Sequence, residues 1–339
     1  MTGANALRRS VVLKRRPRAE PSADDFDIVE DSVPNPGPGE VLTRTLWLSI
    51  DPYMRGRLRE QQTYAVAIQI GEVMTGETVG QVVVSGDPRF QSGDFVVGPR
   101  GWQSHIISKA DALTKISKGA APLSAYLGVL GMPGTTAYAG VTEICKPKAG
   151  ETFVVSAASG AVGSVAGQIA KRAGARVVGI AGGPEKCLWV QSSLGFDDCI
   201  DHRSMDLVRE LQVACPNGID CYFENVGGAV QEAVFSQLNR HARVAMCGMV
   251  SQYNEAEFPP GPNLGFVVGK AVLIQGFIVS DRPARFAEWR AMAEPLVADG
   301  SLVYREDIIE GLENAPEALA GILEGRNFGK LLVRVAHEH

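Results

Sequence analysis

One stretch constrains this chain more than any other. Thr152-Phe153-Val154-Val155-Ser156 runs directly into Ala157-Ala158-Ser159-Gly160-Ala161-Val162-Gly163, and small residues (Ser164, Ala166, Gly167, Ala170) follow. An apolar β-type run that turns on glycines into a helix is the setting of a dinucleotide fingerprint, here of the A-x-G-x-x-G kind because Ala158 holds the first glycine position. Gly160 lets backbone approach a pyrophosphate, Gly163 lets the helix pack closely on the strand, and the helix N-terminus offers N–H groups and a positive dipole to the phosphates.

The neighbouring segments extend this unit. Strands are predicted at 152–156, 176–181, 199–201, 219–224 and 242–247, and helices at 163–173, 184–194, 205–214 and 229–237. Alternation of this kind predicts a doubly wound parallel sheet. At the end of the second strand, where an NAD site carries Asp or Glu, the chain reads Gly182-Gly183-Pro184-Glu185-Lys186. Small residues leave room for a 2′-phosphate and Lys186 supplies positive charge, so NADP(H) is the expected cofactor. Glu185 falls in the first helical turn, where a carboxylate is favoured for capping reasons.

Residues 8–120 have another texture. Apolar or alternating runs at 11–14, 41–49, 78–84, 94–99 and 105–108 are separated by turn-forming stretches such as Pro34-Asn35-Pro36-Gly37-Pro38-Gly39. That spacing predicts a compact, mostly-β domain of Greek-key or barrel type. Further helices are expected at 124–130, 135–145 and 316–324, and a last strand at 330–335.

Composition narrows the class. The 339 residues carry 33 Lys and Arg against 38 Asp and Glu, a formal charge of −5 that provides no basic excess for a general nucleic-acid binder. Six cysteines without a C-x2-C pair suit reduced thiols in a cytoplasmic enzyme better than a disulfide framework. The charge-free run 152–170 is broken by serines, Gln168 and glycines, so no membrane segment is expected. The basic start (Arg8, Arg9, Lys14, Arg15, Arg16, Arg18) has something of an organellar transit peptide. The exposed face of a first strand, followed by the acidic stretch Asp24 to Asp31, is the favoured reading.

Longer motifs carry a resemblance. They are Leu48-Ser49-Ile50-Asp51-Pro52-Tyr53-Met54-Arg55, Gly131-Met132-Pro133-Gly134-Thr135-Thr136-Ala137-Tyr138, Tyr222-Phe223-Glu224-Asn225-Val226-Gly227-Gly228 and Cys247-Gly248-Met249-Val250-Ser251-Gln252-Tyr253-Asn254. Near the end stand Glu310-Gly311-Leu312-Glu313-Asn314-Ala315-Pro316 and Gly325-Arg326-Asn327-Phe328-Gly329-Lys330. With the glycine turn, these segments resemble the zinc-independent medium-chain dehydrogenase/reductases of the prostaglandin reductase and alkenal (alkenone) double-bond reductase branch, over nearly the whole chain.

The resemblance implies an α/β chain with a GroES-like β-barrel catalytic domain (1–126 and 304–339) and a Rossmann NADP-binding domain (127–303). It implies an NADP-dependent oxidoreductase that reduces the C=C bond of enals and enones, and a homodimer in which 267–279 offers an apolar edge strand. It places cofactor contacts at Gly160, Ala161, Val162, Gly163 and Lys186, then at Asn225, Cys247, Phe277, Ile278, Val279 and Asn327. His202 stands where close relatives place a tyrosine near the adenosine phosphate, and Arg203 follows it. Zinc-dependent relatives use an early cysteine and a Gly-His-Glu segment. Here no cysteine precedes Cys145, and Thr75-Gly76-Glu77 puts Gly76 in the histidine's place, so no metal is expected.

Tyr253 is the candidate catalytic residue, because a phenol stays protonated at neutral pH and can donate to a developing enolate oxygen. A tyrosine packed at a loop base with its hydroxyl bonded to backbone is the competing reading. Tyr53 and Met132 are candidate walls of an apolar substrate pocket, with Tyr64 a weaker candidate. Asp51 and Arg55 suit an exposed ion pair as well as any catalytic role. The five histidines suggest no relay, and His337 and His339 fall in a tail expected to fray. Two alternatives stand beside enal or enone reduction: an NADPH:quinone oxidoreductase of the same superfamily, and a non-catalytic NADPH-binding protein.

Overall fold

The computed structural model describes residues 7–60, 66–99, 101–119, 121–257 and 259–338. The chain forms two compact units. One comprises the chain through Leu127 with Glu306–Asn327 and the residues from Leu331 on; the other comprises Gly128–Arg305 with Phe328–Lys330.

The first unit is built on antiparallel pairing. Its strands are β1 (Leu7–Leu13), β2 (Phe26–Ser32), β3 (Glu40–Ser49), β4 (Glu77–Ser85), β5 (Phe95–Pro99), β6 (His105–Lys109) and β7 (Thr114–Ile116), with the single helical turn α1 (Met54–Arg57) after β3. β1 and β2 form a separate two-stranded ribbon in which Arg8 faces Asp31 and Arg9 faces Glu30. The basic start is thus matched by acidic partners: Arg9–Glu30 at 3.6 Å, Lys14–Asp27 at 3.0 Å and Arg15–Asp25 at 2.8 Å. The acidic stretch is itself a strand, which its almost wholly exposed pattern conceals from a reading based on apolar periodicity.

β3 is the centre of the larger sheet. It pairs with β4 along one edge and with β6 through Glu40–Arg44. Further along, Trp47–Ser49 pair with the last strand of the chain. Leu48, Ile50, Met54, Trp102, Leu319 and Val333 close one apolar core. The expected helix at 124–130 is a 3-10 segment, Leu123–Leu127.

The second unit begins with α2 (Met132–Ala139), which continues into a wider π-type turn over Gly140–Cys145 instead of remaining α-helical to 145. Then follow β8 (Thr152–Ser156), α3 (Gly163–Arg172), β9 (Arg176–Ala181), α4 (Pro184–Ser192), β10 (Asp198–Asp201), α5 (Leu207–Ala214), β11 (Ile219–Glu224), α6 (Gly228–Ser236), β12 (Leu238–Met246), α7 (Gly265–Lys270), β13 (Leu273–Gly276) and α8 (Pro283–Ala298). The sheet order is β10-β9-β8-β11-β12-β13, and the pairings are parallel. All five residues of β8 are buried, as expected of a central strand covered on both faces. The chain reverses its winding between β8 and β11, and ligands bind such sheets beyond the carboxyl ends of the strands at that crevice.

The apolar stretch 267–279 differs from expectation. Its first part is the end of α7, and only Leu273–Gly276 forms the edge strand. The chain ends with β14 (Glu306–Glu310), α9 (Ala315–Leu323) and β15 (Lys330–Arg334). The tail after β15 is tied down: Val335 N–H donates to Leu46 O (2.8 Å), Arg44 to His337 O (3.1 Å), and Lys118 pairs with Glu338 at 2.7 Å. Tyr64 and His339 lie outside the described residues. No helix among the described residues is long and apolar enough to cross a membrane.

Candidate active site

The glycine turn leaves the end of β8 as expected. Gly160, Ala161 and Val162 are partly exposed, while Gly163 is buried as the first residue of α3. A Cβ on Gly163 would stand 2.3 Å from the carbonyl oxygen of Ala157, a contact no side chain can make. Only glycine therefore lets α3 begin so close to the strand, with its first N–H groups directed beyond the sheet's carboxyl edge.

At the β9 end, Gly182 and Gly183 lead into α4, with Lys186 half-buried in its first turn. The Cβ position of Gly182 lies 2.9 Å from His202 Nε2, and guanidinium nitrogens of Arg203 lie 3.5 Å from the Cβ positions of both glycines. Lys186, His202 and Arg203 thus gather at one turn, a cationic site suited to a phosphate. The residue that organises this turn was not singled out from sequence. Asp201, at the end of β10, accepts from the N–H groups of Gly183 (2.9 Å) and Arg203 (3.0 Å). Burial works to raise its carboxyl, but those two hydrogen bonds and the charges of His202 and Arg203 hold it below the usual range. His202 moves down, chiefly by desolvation, with Arg203 and Lys186 adding to the shift and Asp201 opposing it.

At the switch point, Asn225 is occupied structurally: its N–H donates to Ser156 Oγ and its side-chain amide to Ser156 O, both at 2.8 Å. Cys247 and Gly248 donate their N–H groups to Glu224 O at 2.9 and 3.1 Å. Burial, and then the charge of Glu224, pushes the Cys247 thiol up to about 12. Tyr253 closes this segment. Its hydroxyl accepts from Met249 N–H at 3.4 Å and lies 3.1 Å from the Cβ position of Gly248. Burial raises the phenol further, so it remains a donor at neutral pH. The backbone contact anticipated by the competing reading is therefore present, as a long hydrogen bond in which the Tyr253 hydroxyl is the acceptor.

Phe277 is half-buried, edge-to-face with Phe223 at 6.2 Å and beneath the Arg282 guanidinium at 5.6 Å. Its ring is thus committed to packing, next to exposed Ile278 and buried Val279. Met132 heads α2, where its carbonyl accepts from Thr136 Oγ1 at 2.8 Å.

In the antiparallel unit, Tyr53 is half-buried beneath Arg57, 5.7 Å from its ring, and Asn327 is half-buried after α9. Asp51 and Arg55 are not exposed: they are 5% and 2% accessible. Asp51 accepts from Ser49 Oγ, and Arg55 donates to Ala19 O at 2.8 Å. Burial, with Arg59 nearby, lowers the Arg55 guanidinium to about 10.

A parallel sheet in this order, with a glycine turn, a cationic turn and a half-buried phenol along its carboxyl edge, defines a nucleotide-dependent oxidoreductase fold. Comparison with known proteins specifies the family. Residues 9–116 match the model described as "N-terminal domain of oxidoreductase", and 161–298 match "Zinc-binding dehydrogenase". The chain is 48% identical over 334 residues to the NADPH-dependent curcumin reductase of Escherichia coli K12, covering 97% of each chain. It is 43% identical over 337 residues to the 2-alkenal reductase (NADP(+)-dependent) of Nicotiana tabacum, covering 97% of this chain and 98% of that one. The crystal structure of CurA from Vibrio vulnificus in complex with NADPH superposes with a TM-score of 0.93 at 45% identity, covering 97% of this chain and all of that one. The chain belongs to the medium-chain dehydrogenase/reductases, in the branch of the alkenal and prostaglandin reductases.

The name of the second model raises the question of zinc. A Cβ on Gly76 would meet Leu48 Cδ1 at 3.0 Å, Met54 Cε at 3.1 Å and Trp102 Cδ1 at 3.2 Å, all of them carbon. Among the described residues, no group of three His, Cys, Asp or Glu could hold a metal ion. These residues do not fit zinc, whose sites need nitrogen, sulfur or carboxylate donors.

Proposed function

We propose that this protein reduces the C=C bond of α,β-unsaturated aldehydes and ketones at the expense of NADPH. The observation that carries the reading is Tyr253: a half-buried phenol, its pKa raised, held at the carboxyl edge of the sheet beside the switch point.

The residues present fit the cofactor. The N–H groups of Gly160, Ala161, Val162 and Gly163 would receive the pyrophosphate, and Lys186, His202 and Arg203 the 2′-phosphate. Asn225, Cys247 and the backbone of Phe277–Val279 would border the nicotinamide half. Asn327 is assigned to the cofactor, and Tyr53 and Met132 to an apolar acceptor. When bound, NADPH supplies the hydride that the β-carbon accepts.

The protein's task is the opposite end of the conjugated system. As the β-carbon gains hydride, negative charge develops on the carbonyl oxygen, and Tyr253 donates a hydrogen bond to it. The α-carbon then takes a proton from Tyr253 or from water, giving the saturated carbonyl. Two chains pair through the β13 edge, where Leu273, Val268 and Leu264 are 49%, 85% and 57% exposed; light scattering after size exclusion tests this. We place the protein in the cytoplasm, where its six free cysteines would stay reduced.

The test is oxidation of NADPH, compared with NADH, across a panel of enals, enones and quinones with product identification. The expected result is saturated carbonyl products with NADPH preferred. Allylic alcohols, or turnover of quinones alone, would contradict the proposal.

A further inference from the structure

Glu224 is the last residue of β11 and is completely buried, beside the crevice between β8 and β11. A buried carboxylate is costly unless donors surround it. One of its oxygens accepts from Val226 N–H (2.7 Å), Gly227 N–H (3.0 Å) and Ser156 Oγ (3.0 Å). The chain after β11 is thereby wrapped around its own side chain. Ser156 Oγ also takes the N–H of Asn225 at 2.8 Å, so Asn225, Val226 and Gly227 are fixed in succession.

That turn holds the next segment. The carbonyl of Glu224 accepts from Cys247 and Gly248, the carbonyl of Asn225 accepts from Val250 (3.1 Å), and the carbonyl of Val226 accepts from both Ser251 N–H (2.9 Å) and Ser251 Oγ (2.6 Å). The same segment carries Met249 N–H and Gly248, the two groups against which the Tyr253 hydroxyl rests. Hydrogen bonds thus connect the Glu224 side chain to the placement of the phenol through two turns of backbone.

We propose that Glu224 is a positioning residue: its carboxylate shapes the Asn225–Gly227 turn, the turn aligns the Cys247–Tyr253 segment, and the Tyr253 phenol is presented to the reacting carbonyl in consequence. The inference rests on the reading of Tyr253 given above. It predicts a defect in turnover that outweighs any change in cofactor affinity, because only the nicotinamide half would border these turns and the phosphate-binding groups would lie on others. A merely structural acid capping α6 would behave differently, weakening everything on the sheet together.

The test uses the full-length protein and Glu224→Gln, which keeps the volume and removes the carboxylate. Turnover is measured on the acceptor that wild type reduces best, and NADPH affinity by fluorescence titration. Labelling of Cys247 by N-ethylmaleimide is followed in cofactor-free protein by peptide mass, with fully buried Cys145 as the control. A displaced phenol should lower kcat by about tenfold or more while NADPH affinity stays within about threefold. In a Tyr253→Phe background the same substitution should cost less than about twofold, because the two residues act as one unit. Cys247 should label several-fold faster with Cys145 unchanged, the signature of local opening (about threefold or more by the same reasoning).

A kcat within twofold of wild type, an undiminished loss in the Tyr253→Phe background, or parallel labelling of Cys145 and Cys247 would each overturn the proposal. If Glu224→Gln does not yield folded protein, Ser156→Ala removes one of the same contacts and must show the same coupling to Tyr253. Should Tyr253→Phe alone leave turnover intact, the reading of Tyr253 falls and this inference with it. Should Tyr253→Phe cost turnover without coupling, only this inference falls.

Discussion

Two stretches of one sheet edge are built from different materials. At the ends of β9 and β10, the groups proposed to face the cofactor are Lys186, His202 and Arg203, of which His202 and Arg203 are exposed, on turns braced by Asp201. At the ends of β8, β11 and β12, the controlling groups are the buried Ser156 and Glu224, whose hydrogen bonds hold the partly exposed segments that carry Asn225 and Tyr253. Exposed cations recognise charge, act over a Debye length and weaken with salt. Buried hydrogen bonds recognise geometry and lose their value with small displacements. On the proposed reading, the first stretch would select the cofactor and the second would determine what is done with it.

This division can be broken by substitution. The largest effect belongs to Tyr253→Phe, expected to lower kcat/KM for an enone by about 100-fold, as for loss of one donor to a developing oxyanion, with NADPH affinity unchanged. Lys186→Ala should raise the NADPH Kd by about tenfold, leave NADH within twofold and lose much of its effect in high salt. Asp201→Asn should narrow the preference for NADPH over NADH by about threefold, because the Gly183 and Arg203 N–H groups keep a weaker acceptor. Steady-state comparison of the two nucleotides measures both.

The smallest effect is a pH dependence. His202 is held below the ordinary histidine value, so in the free protein it is largely neutral near pH 7 and gains charge only as pH falls. A bound phosphate favours the charged form and raises that pKa, so by linkage NADPH affinity should strengthen between pH 7.5 and about 5.5. Titrations of wild type and His202→Asn should differ by this slope. The variant isolates the histidine from protonation of the phosphate itself, and identical slopes would remove His202 from the site.

Legibility from sequence followed the same division. The glycine turn was readable because strand, turn and helix chemistry coincide at Thr152–Gly163, and the structure places each element there. Lys186 was readable as a cation at a strand end that lacks an acid. Glu224 and Asp201 were not, because each acts through backbone N–H groups that only the fold brings to it. β2 was missed because exposed ion pairs and its ribbon partner hold it, where a reading by burial sees only charge. α8 was missed because only Trp289 and Ala293 of its 16 residues are buried, too few to mark an apolar stripe. Asp51 and Arg55 looked like surface charge, since nothing in the local sequence shows that α1 lies inside the core.

The account stands or falls on where the hydride goes. Incubation of the protein with an acyclic enone and NADPH deuterated at the transferred position, followed by NMR of the product, measures this directly. The account requires a saturated ketone with deuterium on the former β-carbon. Deuterium on the carbonyl carbon of an allylic alcohol would contradict it.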